Sequence, residues 1–194
     1  MKLAVITASV REGRYGPTVT RWFTEQADRH GLFDLDVIDL AETPLPAALP
    51  PSFEDLADVD GRPEGLRRLA ARLAGADAFV VVTPEYNHSF PASLKHAIDW
   101  HPVQWAAKAV ALVSYGGQGG GLRAAEHLRQ VFGELHAVTI RNWISFDQHW
   151  TRFDAEGRLV DPEGPDGAAK AMLDQLGWWS RVLRDARLTT PYQA

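Results

Sequence analysis

The residues of this chain best suited to chemistry fall in three short runs, and each follows an apolar stretch. The first reads Ala8, Ser9, Val10, Arg11, Glu12, Gly13, Arg14, Tyr15, Gly16, Pro17, Thr18. It describes an anion cradle. Pro17 suits the first helical position, where nearby backbone N–H groups and the helix dipole favour negative charge. The hydroxyls of Ser9 and Thr18 add donors, and Arg11 or Arg14 can pair bidentately with a dianion. The second run, Thr83 to Ser89, sets the rings of Tyr86 and His88 beside the amide of Asn87 and the hydroxyl of Ser89. A flat heteroaromatic ring needs that mixture, with π surface for stacking and polar groups along its edge. The third run, Ser114 to Gly121, holds five glycines and lets backbone approach a ligand closely. Taken singly, each run also reads as an ordinary capped, tight or flexible turn.

The elements that must position these runs follow from periodicity. Phe79 to Val82 is continuously apolar and β-branched, the pattern of a strand covered on both faces, and Pro84 is expected to end its ladder. Further strands are expected at Lys2–Ala8, Phe33–Leu40, Ala107–Ser114 and, briefly, Ala137–Ile140. Helical spacing marks Thr18–Arg29, a helix around Leu66–Leu73 ended by Gly75, Pro91–Trp100, Leu122–Phe132 and Gly167–Asp185. Strict alternation of this kind predicts a single α/β domain over residues 1–194, a doubly wound three-layer sandwich, here read with its five-stranded parallel sheet in the order 2-1-3-4-5. Strands 1, 3 and 4 are then neighbours, and their three loops meet at the switch point. An anion site at one end and a ring site at the other describe a mononucleotide.

Two long connections interrupt the alternation. Ala41 to Arg62 carries four prolines, and Arg141 to Pro165 is rich in aromatics: Trp143, Phe146, Trp150, Phe153. The second is expected to expose those rings as a subunit contact or lid, with a hairpin over Phe153–Val160 turning at Gly157.

Composition narrows the function. Hydrophobic residues at 45% and charged residues at 23% suit a folded domain, while a net charge of -5 without a basic run argues against nucleic acid. The absence of cysteine removes disulfides, thiolate metal sites and cysteine nucleophiles, and fits a reducing, cytoplasmic setting. Leu3 to Val10 is too short for a signal peptide core or a membrane span and reads as a buried strand. Neither G-x-x-x-x-G-K-[ST] nor a first-loop G-x-G-x-x-G occurs, and Ser114 lacks the G-x-S-x-G elbow. His96 and His101 are five apart, a poor metal pair, and read as helix-surface histidines. No metal ligands and no dedicated acid, base or nucleophile are expected.

On Ser9-Val10-Arg11 with Gly16 and Thr18, on Pro84-Glu85-Tyr86-Asn87-His88-Ser89, and on Gly116-Gly117 with Gly119-Gly120, the chain resembles the NAD(P)H-dependent FMN reductase family from Met1 to about Phe132. That resemblance implies a flavodoxin-like fold, FMN as cofactor and NAD(P)H as co-substrate, with Ser9, Arg11, Pro17, Thr18 and Val19 at the phosphate. It places Pro84, Glu85, Tyr86 and Asn87 at the ribityl chain and ring, and Ser114, Gly116 and Gly117 at the ring edge. It further implies hydride transfer to a small acceptor (a quinone, flavin, azo compound or metal oxyanion) by a homodimer or homotetramer with Leu94–Trp100 in the interface. A non-enzymatic flavodoxin-like carrier is the rival reading. Carriers use strongly charged docking faces, which a dispersed -5 supports weakly.

Overall fold

Continuous apolar runs build the centre of a parallel sheet, as their patterning demands. The structure, a computed structural model, describes residues 1–193. Strands β1 (Lys2–Thr7), β2 (Asp34–Asp39), β3 (Ala78–Pro84) and β4 (Ala109–Tyr115) alternate with helices α1 (Gly16–His30), α2 (Phe53–Ala57), α3 (Glu64–Gly75) and α4 (Ala92–Asp99). After them come α5 (Leu122–Glu134), β5 (Val138–Thr139), β6 (Ile144–Phe146) and α6 (Glu163–Thr189). The sheet order is β2-β1-β3-β4-β5, all pairs parallel. Every residue of β3 and β4 is buried, whereas edge strand β2 is half-exposed.

Two apolar layers hold the sheet. On one face Leu3, Val5, Val80 and Val113 meet Val19, Trp22 and Phe23 of α1 and Met172, Leu173 and Leu176 of α6. On the other, Ile6, Phe79, Val81 and Leu112 meet Leu69 and Leu73 of α3, Leu94 and Ile98 of α4, and Leu128 and Phe132 of α5. This is the expected flavodoxin-like sandwich.

Local expectations are revised at several points. The fifth position of the sheet is split: β5 pairs with the start of β4 (Val110↔Thr139) and β6 with its end (Tyr115↔Phe146). Between them side chains replace the ladder. Gln175 Oε1 accepts from Asn142 N–H at 2.8 Å, and the Arg129 guanidinium donates to the Ile140 and Arg141 carbonyls at 2.7 and 3.2 Å. β3 ends at Pro84, as expected. Pro84 pairs with Tyr115, and Glu85 N–H still reaches the Tyr115 carbonyl at 3.1 Å. N–H direction alternates along a strand, so the missing Pro84 hydrogen faces the side where β1 has already ended.

The connection 41–62 contains α2, which periodicity did not mark. The aromatic excursion is only partly exposed: Phe146 and Phe153 are buried against one another and, for Phe146, against Trp22. Trp143 and Trp150 remain outside. The hairpin forms through a Phe153↔Leu159 bridge, with Gly157 at φ 75° in the left-handed region. No helix among the described residues is long and apolar enough to cross a membrane.

Candidate functional site

At the carboxyl ends of β1, β3 and β4 the three loops enclose a cleft of about 330 Å³. Arg11 to Tyr15 form one wall, Pro84, Glu85 and Tyr86 a second, and Tyr115, Gly116, Gly117 and His149 a third. Order reversal at the β1/β3 junction opens this crevice, because the chain crosses to opposite sides of the sheet there.

In the first loop the two arginines differ. Arg14 donates two 2.8 Å hydrogen bonds to the Asp39 carboxylate at the end of β2, and a third to the Ser9 carbonyl at 3.0 Å. It is committed to holding the loop. Arg11 makes no ion pair among the described residues and lines the cleft. Ser9 is buried, and its hydroxyl bonds the Tyr86 hydroxyl at 2.7 Å, joining the first loop to the second. Pro17 and Thr18 lie on the first turn of α1 away from the cleft lining, and the Val19 side chain belongs to the core. The Thr18 and Val19 N–H groups both reach the Tyr15 carbonyl, at 3.1 and 3.4 Å. Gly16 lets α1 approach closely: a Cβ there would sit 2.9 Å from Thr7 Cγ2 and 3.1 Å from Tyr115 Oη.

The second loop is a two-residue turn. Tyr86 and Ser89 exchange N–H···O bonds of 2.8 and 3.0 Å across Asn87 and His88, whose φ values of 49° and 67° suit a type I′ turn. Asn87 and His88 project at the exposed tip. Glu85 turns to α5, where its carboxylate accepts the Arg123 N–H and pairs with the Arg123 guanidinium, both at 3.1 Å. That is a favourable place for a carboxylate, at a helix N-terminus.

The third loop is braced from below. Buried Ser114 donates to the Gly120 carbonyl at 2.9 Å, and Ser145 donates to the same oxygen at 2.8 Å. Gly121, at φ 85°, leaves no room for a Cβ beside Ser114 and the Tyr115 nitrogen. The Gly116 N–H is held by the Phe146 carbonyl at 3.0 Å, so Gly116 offers a ligand close approach, not a donor.

Of the residues singled out from sequence, Arg11, Pro84, Glu85, Tyr86, Gly116 and Gly117 come together on the cleft. Ser9 and Ser114 stand behind it, Pro17, Thr18 and Val19 on the adjoining helical turn, and Asn87 at the tip of the second loop. Sequence reasoning passed over Tyr15, Tyr115 and His149 as wall residues. Tyr115 Oη is buried with no hydrogen-bond partner among the described residues, and burial pushes the phenol well above its ordinary range. His149 packs its ring between Tyr15 and Tyr115, with centroids at 4.7 and 5.2 Å. Its only sequence signal was the aromatic richness of the excursion. His101, expected on a helix surface, is fully buried with Nδ1 donating to the Ala97 carbonyl at 2.7 Å, and burial lowers its basicity.

Comparison with known proteins bears on the family and the fold. The model of the NADPH-dependent FMN reductase family matches residues 1–151, past Phe132 and through His149. An NAD(P)H-dependent FMN reductase of Schizosaccharomyces pombe is 39% identical over 134 residues, which are 69% of this chain and 66% of that protein. An NAD(P)H:quinone oxidoreductase of Solanum tuberosum is 34% identical over 171 residues, 84% of each chain. Among solved structures, the flavoenzyme NAD(P)H:(acceptor) oxidoreductase FerB from Paracoccus denitrificans superposes with a TM-score of 0.72 at 24% identity, over 93% of this chain and 97% of that one. The comparisons do not favour a non-enzymatic carrier: the chain belongs to the NADPH-dependent FMN reductase family and is an NAD(P)H-dependent, FMN-containing oxidoreductase.

Proposed function

We propose that the cleft between the three loops holds FMN and that the enzyme passes reducing equivalents from NAD(P)H to a small quinone. One observation carries this reading: a guanidinium, Arg11, and a buried hydroxyl, Tyr115 Oη, each without a partner among the described residues, line one glycine-edged cleft. These are the groups a phosphorylated, polar-edged ring would satisfy. The relative from Solanum tuberosum, named as a quinone oxidoreductase, supports a quinone acceptor.

When bound, the flavin supplies the redox chemistry, accepting hydride from the nicotinamide and releasing it to the acceptor. The chain supplies position and charge. Arg11 pairs with the phosphate, and the first turn of α1, at Pro17, Thr18 and Val19, borders it, with the Thr18 hydroxyl the group on that turn able to donate. Ser9 fixes the Tyr86 hydroxyl, while Pro84, Glu85 and Tyr86 form the wall along the ribityl chain and ring, with Asn87 at its exposed tip. Ser114 acts through the loop it braces, holding Gly116 and Gly117 at the ring edge. Tyr115 stays protonated across the working pH range because burial disfavours its phenolate, and so remains a donor.

In this reading the chain is one flavin-binding domain that assembles as a homodimer or homotetramer through α4 and works in the cytoplasm. The resemblance supports the assembly, and the lack of cysteine fits the reducing compartment. Anaerobic stopped-flow mixing of the yellow holoprotein with NADH or NADPH tests the function. Bleaching of the flavin at a catalytic rate, then reoxidation by a benzoquinone, is expected. A flavin that neither nucleotide bleaches overturns the reductase assignment.

A further inference from the structure

The segment after β6 is fastened directly to the glycine loop. Gln148 N–H donates to the Gly117 carbonyl at 2.9 Å, and His149 N–H to the Gly116 carbonyl at 3.3 Å. His149 Nδ1 lies 3.0 Å from the same Gly116 oxygen. A carbonyl only accepts, so Nδ1 carries the hydrogen and the tautomer is set. The other nitrogen, Nε2, makes no hydrogen bond among the described residues, and the half-buried ring lines the cleft. Tyr15, Tyr115 and Trp150 hold the imidazole in place, with centroids within 4.7 to 5.2 Å.

The charges around this ring are largely paired with one another. Across the cleft Arg14 pairs with Asp39 and Glu85 with Arg123; in the ring's own segment Asp147 pairs with Arg152 and Asp154 with Arg158. Arg11 and Glu12 of the first loop, and the phenols of Tyr15, Tyr86 and Tyr115, are the remaining titratable groups on the cleft wall.

We propose that His149 is a positioning and charge-tuning residue of the flavin site: anchored through Nδ1 on Gly116, it presents Nε2 to bound FMN and favours the reduced ring over the oxidised one. The inference rests on the FMN reading given above. Hydride carries two electrons and one hydrogen from the nicotinamide, which leaves as a cation, so the flavin gains one negative charge. When Nε2 takes up a proton from solvent as the flavin becomes anionic, the resulting N–H offsets that charge without passing its proton to the flavin, and returns it to solvent on reoxidation. When hydride passes on to a quinone the charge leaves with it, and the quinone oxygen takes its proton from solvent. A preorganised donor in a partly dry cleft favours the charged form more than water does.

The test separates this role from simple fastening of the loop. His149→Asn keeps an amide donor for the Gly116 carbonyl and removes Nε2, whereas His149→Gln can reach the Nε2 position without ionising. FMN dissociation constants and midpoint potentials are measured on wild-type and variant holoproteins. The expected result is that His149→Asn loses about tenfold more affinity for reduced than for oxidised FMN. That is a fall of about 30 mV for a two-electron couple. The same loss is expected for His149→Gln. A wild-type potential in His149→Asn overturns the inference and leaves His149 as a staple. In flavin-free wild type, long-range 15N–1H correlation is expected to show Nδ1 protonated in the neutral ring, and a bare Nδ1 also overturns it. Wild type that takes up no FMN, or whose flavin neither nucleotide reduces, sinks the functional reading instead.

Discussion

Lys108 and Arg11 stand at opposite ends of the sheet and show how one fold divides its cations between stability and binding. At the amino end Lys108 is buried, donating to the carbonyls of Leu73 and Ala74 at 2.8 Å each and lying over the Phe79 ring. Those carbonyls belong to the last turn of α3, so the amine joins the Ala76 N–H, 3.3 Å from the Leu73 oxygen, in capping the helix C-terminus. Nearby, Asp77 accepts the Lys2 N–H at 2.8 Å and lies 3.8 Å from Arg187. At the carboxyl end Arg11 is exposed and unpaired, and the loops around it hold positive φ at Gly13, Asn87, His88, Gly120 and Gly121. An amine held by backbone carbonyls serves the fold even at a cost to its charge; a guanidinium without a partner among the described residues, on a cleft wall, is available to a ligand.

Phe79→Ala breaks the amino end hardest. Phe79 is fully buried against Trp105, with centroids 4.6 Å apart. Truncation should cost about 3–5 kcal/mol in denaturant unfolding, with the FMN affinity of the folded fraction unchanged. An equal loss of flavin affinity would mean that the two ends are coupled.

Titration of Lys108 sharpens the contrast. Burial, helped by Arg187 and opposed by Asp77, lowers its pKa to about 8. The unfolded lysine stays protonated to about pH 10.4, so between those values unfolding takes up a proton and stability rises with pH. Wild type should gain on the order of 3 kcal/mol relative to Lys108→Met across that window. Paired unfolding curves at its two ends measure the difference, and a shrinking advantage would contradict the assignment.

At the carboxyl end the two first-loop arginines should separate. Arg11→Ala is expected to weaken FMN more than riboflavin, by about 1.5–3 kcal/mol, as for a lost hydrogen bond to a charged group. Arg14→Ala should weaken both flavins alike, because Arg14 holds the loop through Asp39. Calorimetric titration with each flavin decides, and equal losses for Arg11→Ala would remove it from the phosphate site.

Gly16→Ala has the smallest expected effect. Its methyl would crowd Thr7 and the Tyr115 hydroxyl, costing roughly 1–3 kcal/mol of stability. Because Tyr115 lines the cleft, flavin affinity should fall with it. An unchanged affinity would show that the Tyr115 hydroxyl is not in the site.

Much of this molecule was legible in the sequence because the informative signals are short-ranged. Phe79 to Val82 had to be buried on both faces, and the five glycines after Ser114 had to form a loop that backbone, not side chains, defines. The same reasoning failed where the partner was distant in sequence. Nothing local shows that Arg14 meets Asp39 25 residues on, or that Glu85 turns away to Arg123 38 residues on. The split edge of the sheet depends on Gln175, 33 residues from the N–H it satisfies.

What the sequence by itself determined was the alternation of strands and helices, the order of the sheet, and the three loops at its carboxyl end. Those follow from hydrophobic period, turn chemistry and chain crossover, which act within a few turns of backbone. Tertiary structure alone decided which side chains face the cleft. His149 reaches it because Phe146 and Phe153 sink into the core and the Gly116 and Gly117 carbonyls take up the chain between them. Burial and long-range hydrogen bonding, not local propensity, turned an aromatic excursion into the wall of the proposed flavin site.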